Sequence, residues 1–376
     1  MRDAGRLRHF LHEQSRPLER QPVTAYGAAM RVLVVGGAGY IGSHVLRLLL
    51  ESGIEARAFD NLSTGHRELV PKGALSVGDI ADPVAVRRAV RKLRATAVIH
   101  LAARLDVAES MRQPLAYWRS NVYGSLALLE ALRGTTVRSF VFSSTCATYG
   151  IPERLPLTED HPQRPINPYG QTKLAIERLL SDQEAETGIR FVALRYFNAA
   201  GAHPRGDIGE AHDPEIHLIP RAFNALLGRL RRITVYGTDY PTRDGTCIRD
   251  YVHVCDLATA HLLALNYLER GGTSLALNLG NGSGFTVLEV LASVQRVTGI
   301  APPVAFGPRR PGDPPALVGS SERAREILGW QPAYPDLDVI VETAWRWHRV
   351  RFGPPKTPKA VRVRGSGAQR SRRSTT

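Results

Sequence analysis

"RVLVVGGAGYIGSHVLRLLLESG", residues 31–53, decides the fold. Arg31 to Val35, rich in valine and leucine, read as a buried strand. Glycines 36, 37, 39 and 42 follow at once, and from Tyr40 apolar residues recur at helical spacing as far as Gly53. Two overlapping patterns are satisfied: Gly36-x-x-Gly39-x-x-Gly42 and Gly37-x-Gly39-x-x-Gly42. Glycine lets the backbone turn tightly and approach a ligand, while the free N–H groups of a helix start favour an anion. Strand, glycine turn and helix in this order predict a cradle for the pyrophosphate of a dinucleotide.

The same alternation continues outward. "EARAF" predicts a second strand ending in Asp60, 18 residues beyond Gly42, where a carboxylate can accept bonds from a ribose 2′-hydroxyl. That charge would repel a 2′-phosphate, so the expected cofactor is NAD rather than NADP. Further strands are expected at "ALSV", "AVIHLA", "RSFVFSS" and "RFVALRYF". Helices are expected at "DPVAVRRAVRKL", at "PLAYWRSNVYGSLALLEAL" as one long element, and after Asn167. The strand ends at Asp79-Ile80 and Leu101-Ala102-Ala103 open on the edge that would flank the adenosine half.

The fold class that follows is α/β: a doubly wound parallel Rossmann sheet with a smaller mixed α/β C-terminal lobe for substrate. The division expected is residues 30–200 for the nucleotide domain, with 250–280 returning to it. Residues 201–249 and 281–353 would form the substrate lobe.

Composition narrows the class. The hydrophobic fraction of 43% suits a chain that buries a sizeable core, and no run approaches a membrane span. Residues 1–22 are charged throughout, unlike a secretory signal, and Met30 stands directly before the first strand as an alternative start. Cys146, Cys247 and Cys255 make no CxxC pair, which predicts a reducing, cytoplasmic setting. The net charge is +14, but residues 354–376 carry two Lys and five Arg with no acid, so half of it lies in that tail. The tail and residues 1–29 are expected to be disordered, the tail touching acidic partners non-specifically; no specific nucleic-acid binding is expected.

"NPYGQTK", residues 167–173, holds the chemistry. Asn167 suits a helix cap and Pro168 a first turn, so Tyr169 and Lys173 fall on one helix face. "SSTCATYG" puts Ser143, Ser144 and Thr145 at the end of the fifth strand, on the same sheet edge as the glycine loop. A tyrosine acting as base near neutrality must be stabilised as phenolate by about three pH units, roughly 4 kcal/mol, which an adjacent ammonium can help supply.

A strand-end hydroxyl, a Tyr/Lys pair on the next helix and a dinucleotide loop on strand one resemble the extended short-chain dehydrogenase/reductase superfamily. Downstream, "VYGTDYPTRDGTCIRDYVHVCDLATAH" (residues 235–261), "LRYFNAAGAH" and "RRPGDPPALV" resemble the UDP-glucose 4-epimerase family, over residues 30–350. The resemblance implies an NAD-dependent isomerase in which Tyr169 takes the proton of the sugar 4-hydroxyl, Thr145 places the oxygen and Lys173 supports both. The 4-keto sugar would turn and be reduced on its other face. It also implies a homodimer, through helices near residues 113–133 and 168–187.

The cofactor residues implied are Gly36, Gly39, Tyr40, Ile41, Gly42, Asp60, Asn61, Asp79, Ile80, Leu101, Ala102, Ala103, Lys173 and Phe197. For a UDP-hexose they are Asn198, His217 and Leu218 at the diphosphate, Arg249 and Arg310 clamping it, and Asp313 at the ribose. Leu317 stands where some epimerases confined to plain hexoses carry a bulky Tyr, implying room for N-acetyl sugars. Ser120 replaces a usual Asn, which puts one cofactor contact in doubt, while Asn121 is present.

Cys146 is read as packing, and Trp330, Trp345 and Trp347 as core. His203, His212 and His217 with Asp207, Glu210 and Asp213 lack metal-ligand spacing and read as a polar loop, with no metal expected. A sugar 4,6-dehydratase would need an acid and a base where Cys146 and Ala147 stand. A UDP-glucuronate epimerase or decarboxylase is a second reading, because surplus Arg could hold a carboxylate. A non-catalytic NAD-binding regulator is a third; it conflicts with the retained Thr145, Tyr169 and Lys173.

Overall fold

Seven parallel strands form the central sheet of the computed structural model, which describes residues 30–310 and 313–353. They are β1 (Arg31–Val35), β2 (Glu55–Asp60), β3 (Leu75–Val77), β4 (Ala97–His100), β5 (Ser139–Thr145), β6 (Arg190–Tyr196) and β7 (Leu275–Leu279). Their spatial order is β7-β6-β5-β4-β1-β2-β3, every neighbouring pair parallel. Connections run to opposite sides from β1 and β4, so a crevice opens at the carboxyl ends of these two strands. Expectations placed on residues 1–29 and 354–376 lie outside the described residues.

Helices cover both faces. They are α1 (Tyr40–Glu51), α2 (Pro83–Leu93), α3 (Gly124–Leu132), α4 (Pro168–Thr187), α5 (Leu218–Leu226), α6 (Val254–Glu269), α7 (Val287–Thr298) and α8 (Leu337–Phe352). Leu46 and Leu49 of α1 and Leu257 and Leu265 of α6 fill one side of the sheet. Val90 of α2, Leu128 of α3 and Ile176 and Leu180 of α4 fill the other. Burial on both faces explains why the strands read as continuous apolar runs without alternation.

Local signals set the helix starts. The Asp82 carboxylate accepts from Val84 and Ala85 N–H at 2.9 and 3.1 Å, and Pro83 fills the first position of α2. The Asn167 side chain accepts from Gly170 N–H at 2.8 Å, with Pro168 first in α4. Residues 114–132 differ from the single helix expected: a helical turn at Pro114–Tyr117 runs into a π-helical turn at Trp118–Tyr123 before α3. The cause is local. Buried Asn121 bonds both the N–H and the C=O of Arg104, and the Ser125 hydroxyl donates to Asn121 O, so the backbone bulges to reach them.

After Ala200 the chain builds a lobe. Ile233–Tyr236 pairs in parallel with Val304–Gly307, and Ile248–Arg249 lies between Phe285–Thr286 and Ala316–Leu317. α5, α7 and α8 close around Phe223, Val290 and Ile340. Tyr251–His253 pairs with Asn198–Ala200, and α6 then carries the chain back to β7 beside β6. Trp330 is fully buried and donates to Asp256 O at 2.9 Å, Trp347 is buried, and Trp345 packs partly buried against the lobe. Among the described residues no helix is long and apolar enough to cross a membrane.

Candidate active site

The glycine loop is sterically committed. Gly36 has φ +81°, and a Cβ there would stand 2.6 Å from Ala102 N, so loop and β4 end are in contact. A Cβ on Gly42 would fall 2.1 Å from Gly36 O, so only glycine lets α1 start against the turn. Gly39 differs: its Cβ would meet only Gly36 O, at 3.3 Å, and as the N-cap of α1 it contributes no side-chain cap. The first N–H groups of α1 are thus without a side-chain cap, an arrangement that suits a pyrophosphate.

Asp60, at the end of β2, is buried, and its two oxygens accept from Ala38 N–H at 2.9 Å and Leu62 N–H at 2.8 Å. Each oxygen keeps a further lone pair for a ribose hydroxyl. Leu62 is held at φ +60°, a strained conformation beside that carboxylate. Asn61 donates to Asp79 at 2.8 Å, Ile80 lies against Gly124, and Leu101 N–H bonds Val35 O. The glycine turn, the Asp60 carboxylate and the Asp79–Ile80 and Leu101–Ala103 segments thus lie at neighbouring strand ends of one crevice. The side chain of Tyr40 points elsewhere, bonding Gly201 O at 2.6 Å and bolting α1 to the lobe.

Tyr169, Lys173 and Thr145 meet at the next strand ends. A Cβ on Gly170 would stand 2.5 Å from Ala147 O, so this glycine lets α4 lie directly on the segment after β5. Buried Lys173 donates from Nζ to Ser143 O at 2.7 Å and sits 4.9 Å from the Phe142 ring centre and 5.9 Å from that of Tyr169. Burial pulls its ammonium down to about 7, with Glu177 opposing. Burial raises the Tyr169 phenol well above its ordinary value; the nearby Tyr196 adds to this and the Thr145 hydroxyl opposes it. The Tyr196 hydroxyl in turn hydrogen-bonds Ser143 Oγ. The buried phenol therefore holds its proton.

A cleft of about 210 Å³ opens at the lobe side. Asn198, His217, Leu218, Arg249, Arg310 and Asp313 all line it. Arg249 pairs with Asp313 at 3.1 Å, and the Arg310 guanidinium covers the Tyr236 ring at 4.1 Å. Asn198 donates to Asp250 O at 2.8 Å. Leu317 is not on this wall: it packs with Tyr149, Leu157 and Phe197 beside Cys146. Burial pushes the Cys146 thiol up to about 12, in keeping with a packing role.

The polar loop splits in two. His203 and Asp207 lie with Arg47 of α1, whereas Glu210, His212, Glu215 and His217 bring ligand-type atoms within 4.8 Å of one another. The spacing in sequence gave no hint of this convergence, because the loop folds back on itself. Glu210 Oε1 stands 2.9 Å from His212 Nδ1 and 2.5 Å from His217 Nδ1, so one carboxylate oxygen hydrogen-bonds both rings. Burial disfavours the His217 charge, yet Glu210 and Glu215 outweigh it and lift the imidazole to about 10. His217 thus presents a cation to the cleft.

Reading by motif missed Ser143 as the anchor of Lys173, and Tyr196, Tyr236 and Tyr251 around the two sites. Tyr196 had a signal, since it lies within "LRYFN". Tyr236 and Tyr251 had one too, since both lie within the stretch 235–261 that carries the resemblance.

Comparison with known proteins agrees with this geometry. Residues 32–280 match the NAD dependent epimerase/dehydratase family. The UDP-glucose 4-epimerase of Rhizobium leguminosarum bv. trifolii is 50% identical over 321 residues, covering 85% of this chain and 98% of that one. The crystal structure of UDP-glucose 4-epimerase from Brucella ovis in complex with NAD has a TM-score of 0.83 and 51% identity, covering 86% and 99% of the two chains. The Bifidobacterium longum UDP-glucose 4-epimerase, in complex with NAD+ and UDP, has a TM-score of 0.81 and 34% identity, covering 86% and 99%. With a family match over residues 32–280 and relatives about half identical over nearly their whole length, the chain belongs to the NAD dependent epimerase/dehydratase family.

Proposed function

We propose that the protein interconverts UDP-glucose and UDP-galactose as a UDP-glucose 4-epimerase with bound NAD. One observation carries this: Tyr169, Lys173 and Thr145 converge at the sheet edge between the glycine cradle and a cleft lined by Asn198, His217, Arg249 and Arg310. Bound NAD supplies reversible oxidation at the sugar C4. Its cradle would be the open N-terminus of α1, with Asp60 at the adenosine ribose. Tyr169 is the acid and base at the 4-hydroxyl, holding the proton while the sugar is oxidised and returning it afterwards. Lys173 lowers the cost of the phenolate, and Thr145 holds the substrate oxygen in line.

Arg249, Arg310 and charged His217 face the diphosphate, and two planar guanidiniums suit its paired oxygens. Asp313, now paired with Arg249, would exchange that partner for a ribose hydroxyl. Because Leu317 is a modest side chain in a small apolar cluster, UDP-N-acetylhexoses are further substrates. A division into a nucleotide domain, residues 30–200 with 250–280, and a substrate lobe accounts for these two halves of the site. The exposed Met111, Leu115, Trp118, Tyr123 and Leu126 support a homodimer through this helical face. Three free cysteines suit the cytoplasm.

Incubation with UDP-glucose, with products resolved by chromatography, tests the reading. UDP-galactose should form without added NAD. Tyr169→Phe should lower turnover at least about a hundredfold while leaving NAD bound. Unchanged turnover in that variant overturns the assignment.

A further inference from the structure

Tyr169, Lys173 and Glu177 follow one another at four-residue steps on α4, so one helix face carries all three. Glu177 is buried, and so is its partner Arg195 on β6, each side chain only 8% exposed. The pair is bidentate: Arg195 Nε and Nη2 donate to the carboxylate at 3.0 and 2.6 Å. Ser144 Oγ donates to Glu177 Oε1, and Gln163 Nε2 to Oε2 at 3.2 Å. The third Arg195 nitrogen donates to Tyr149 OH at 3.0 Å, and that hydroxyl donates to Asn278 Oδ1 on β7 at 2.7 Å. A chain of buried bonds therefore runs from the active helix across β5 and β6 to the strand that returns from the lobe.

Such a pair is weak evidence for stability, since well-packed apolar residues do as well at buried sites. Its place beside Lys173 suggests another use. We propose that Glu177 is a positioning residue for Lys173, the counter-charge that keeps its ammonium protonated over Ser143 O, and that Arg195, bonded to the same carboxylate, offsets part of that charge. The proposal rests on the reading of Tyr169 and Lys173 as the acid–base pair.

Apart from Glu177, the titratable groups facing Lys173 do not supply a negative charge. On α4 the other such group is Tyr169, whose phenol burial pushes up. From β4 comes His100, which burial keeps neutral, pulled down to about 3. From β6 come Tyr196, whose phenol burial pushes up to about 12, and Arg195 behind Glu177. Burial alone drives the ammonium toward its neutral form, and Glu177 is the group that opposes it. Arg195 works in the other direction by tying up the same carboxylate. Removing the two partners singly should therefore move Lys173 in opposite directions, which a general loosening of the helix would not do.

The chain has five lysines, so a 13Cε-lysine label resolves them, and Lys173→Met assigns the signal. The experiment is a pH titration of Lys173 13Cε in the NAD-loaded protein. Glu177→Gln should lower the midpoint by about one pH unit, a tenfold loss of proton affinity, and Arg195→Met should raise it by a similar amount. Glu177→Asp, which keeps the charge, should stay close to the parent. If either single variant fails to fold, Glu177→Gln/Arg195→Gln leaves no unpaired charge, and its midpoint should fall by about half a unit.

Two single-variant midpoints that shift the same way, or stay at the parent value, overturn the proposal; so does an unmoved midpoint in the double variant. The alkaline limb of the UDP-glucose turnover profile should follow the midpoint in each variant. Shifted midpoints in a protein that never turns over UDP-glucose would support the Glu177 assignment and sink the functional reading instead.

Discussion

Leu317 shows how much one side chain can decide. It sits with Tyr149, Leu157 and Phe197, next to Cys146 and so close to Thr145. A tyrosine there adds a ring and a hydroxyl to a small, largely apolar cluster. If this cluster borders the sugar C2 substituent, Leu317→Tyr should cut turnover of UDP-N-acetylglucosamine at least about tenfold relative to UDP-glucose, since a few lost contacts are worth 1–3 kcal/mol. Parallel rate measurements on the two sugars decide it; equal loss on both removes Leu317 from the specificity wall. At this scale the sequence was legible where chemistry demands one residue type. Gly36, Asp60, Thr145, Tyr169 and Lys173 were found by type and spacing. Glu177 and Arg195 were not, because a glutamate in a helix and an arginine in a strand usually mean solvent. Only the packing of α4 on β5 and β6 shows that both are buried.

Between α4 and β5 the fit depends on a residue with no side chain. Gly170 follows Tyr169, and its Cα touches the backbone of Ala147 so closely that any Cβ would stand 2.5 Å from the carbonyl oxygen and 3.0 Å from Pro165. Gly170→Ala must lift the first turn of α4, and Tyr169 with it. Overpacking of this kind costs about 1–3 kcal/mol, but displacement of a reacting group by about 1 Å costs on the order of a hundredfold in rate. The expected result is a kcat lowered about ten- to a hundredfold, a KM for UDP-glucose near the parent value and a Tm reduced by only a few degrees. A variant that keeps its kcat would show that the helix tolerates the shift. Elements were otherwise predicted well where a cap or a long apolar run marks them, as at Asp82, Asn167 and β1. The π-helical turn at Trp118–Tyr123 was not. It arises from Asn121 reaching Arg104 across a loop, a tertiary demand that helical periodicity does not carry.

Across the whole molecule, buried ionisable groups make acid the weak side of the fold. His44, His100, His253, His261 and His348 are each no more than 2% exposed. Burial pulls the first three down to about 3 and the other two to about 4. His44, His100 and His261 each have a buried ring nitrogen with no partner, so nothing offsets a charge placed there. A histidine depressed in the folded state gives stability that is present above its unfolded value of about 6.5 and is lost as pH falls below it. Asp250 and Asp256 have the opposite sign: burial raises both to about 6, so each favours the fold as pH drops from about 6 toward 4. Burial also pulls His203 down to about 4, so near pH 5 the unfolded chain binds up to six more protons at the histidines and up to two fewer at the aspartates. The net of about four protons makes stability fall by on the order of 5 kcal/mol per pH unit.

On the alkaline side two groups oppose each other. Lys173, depressed to about 7, makes the fold gain stability as pH rises from there, while His217, raised to about 10, makes it lose stability over nearly the same range. Thermal unfolding followed by circular dichroism should accordingly show a Tm that is nearly level from about pH 7 to 9 and drops steeply between pH 6.5 and 4.5. Replacing His261 by Gln, which keeps a polar side chain but cannot be charged, should make the acid limb shallower by about one proton. A Tm at pH 5 equal to that at pH 7.5 would mean that the buried histidines are already charged in the native protein, and that the interior is more polar than the packing around them implies.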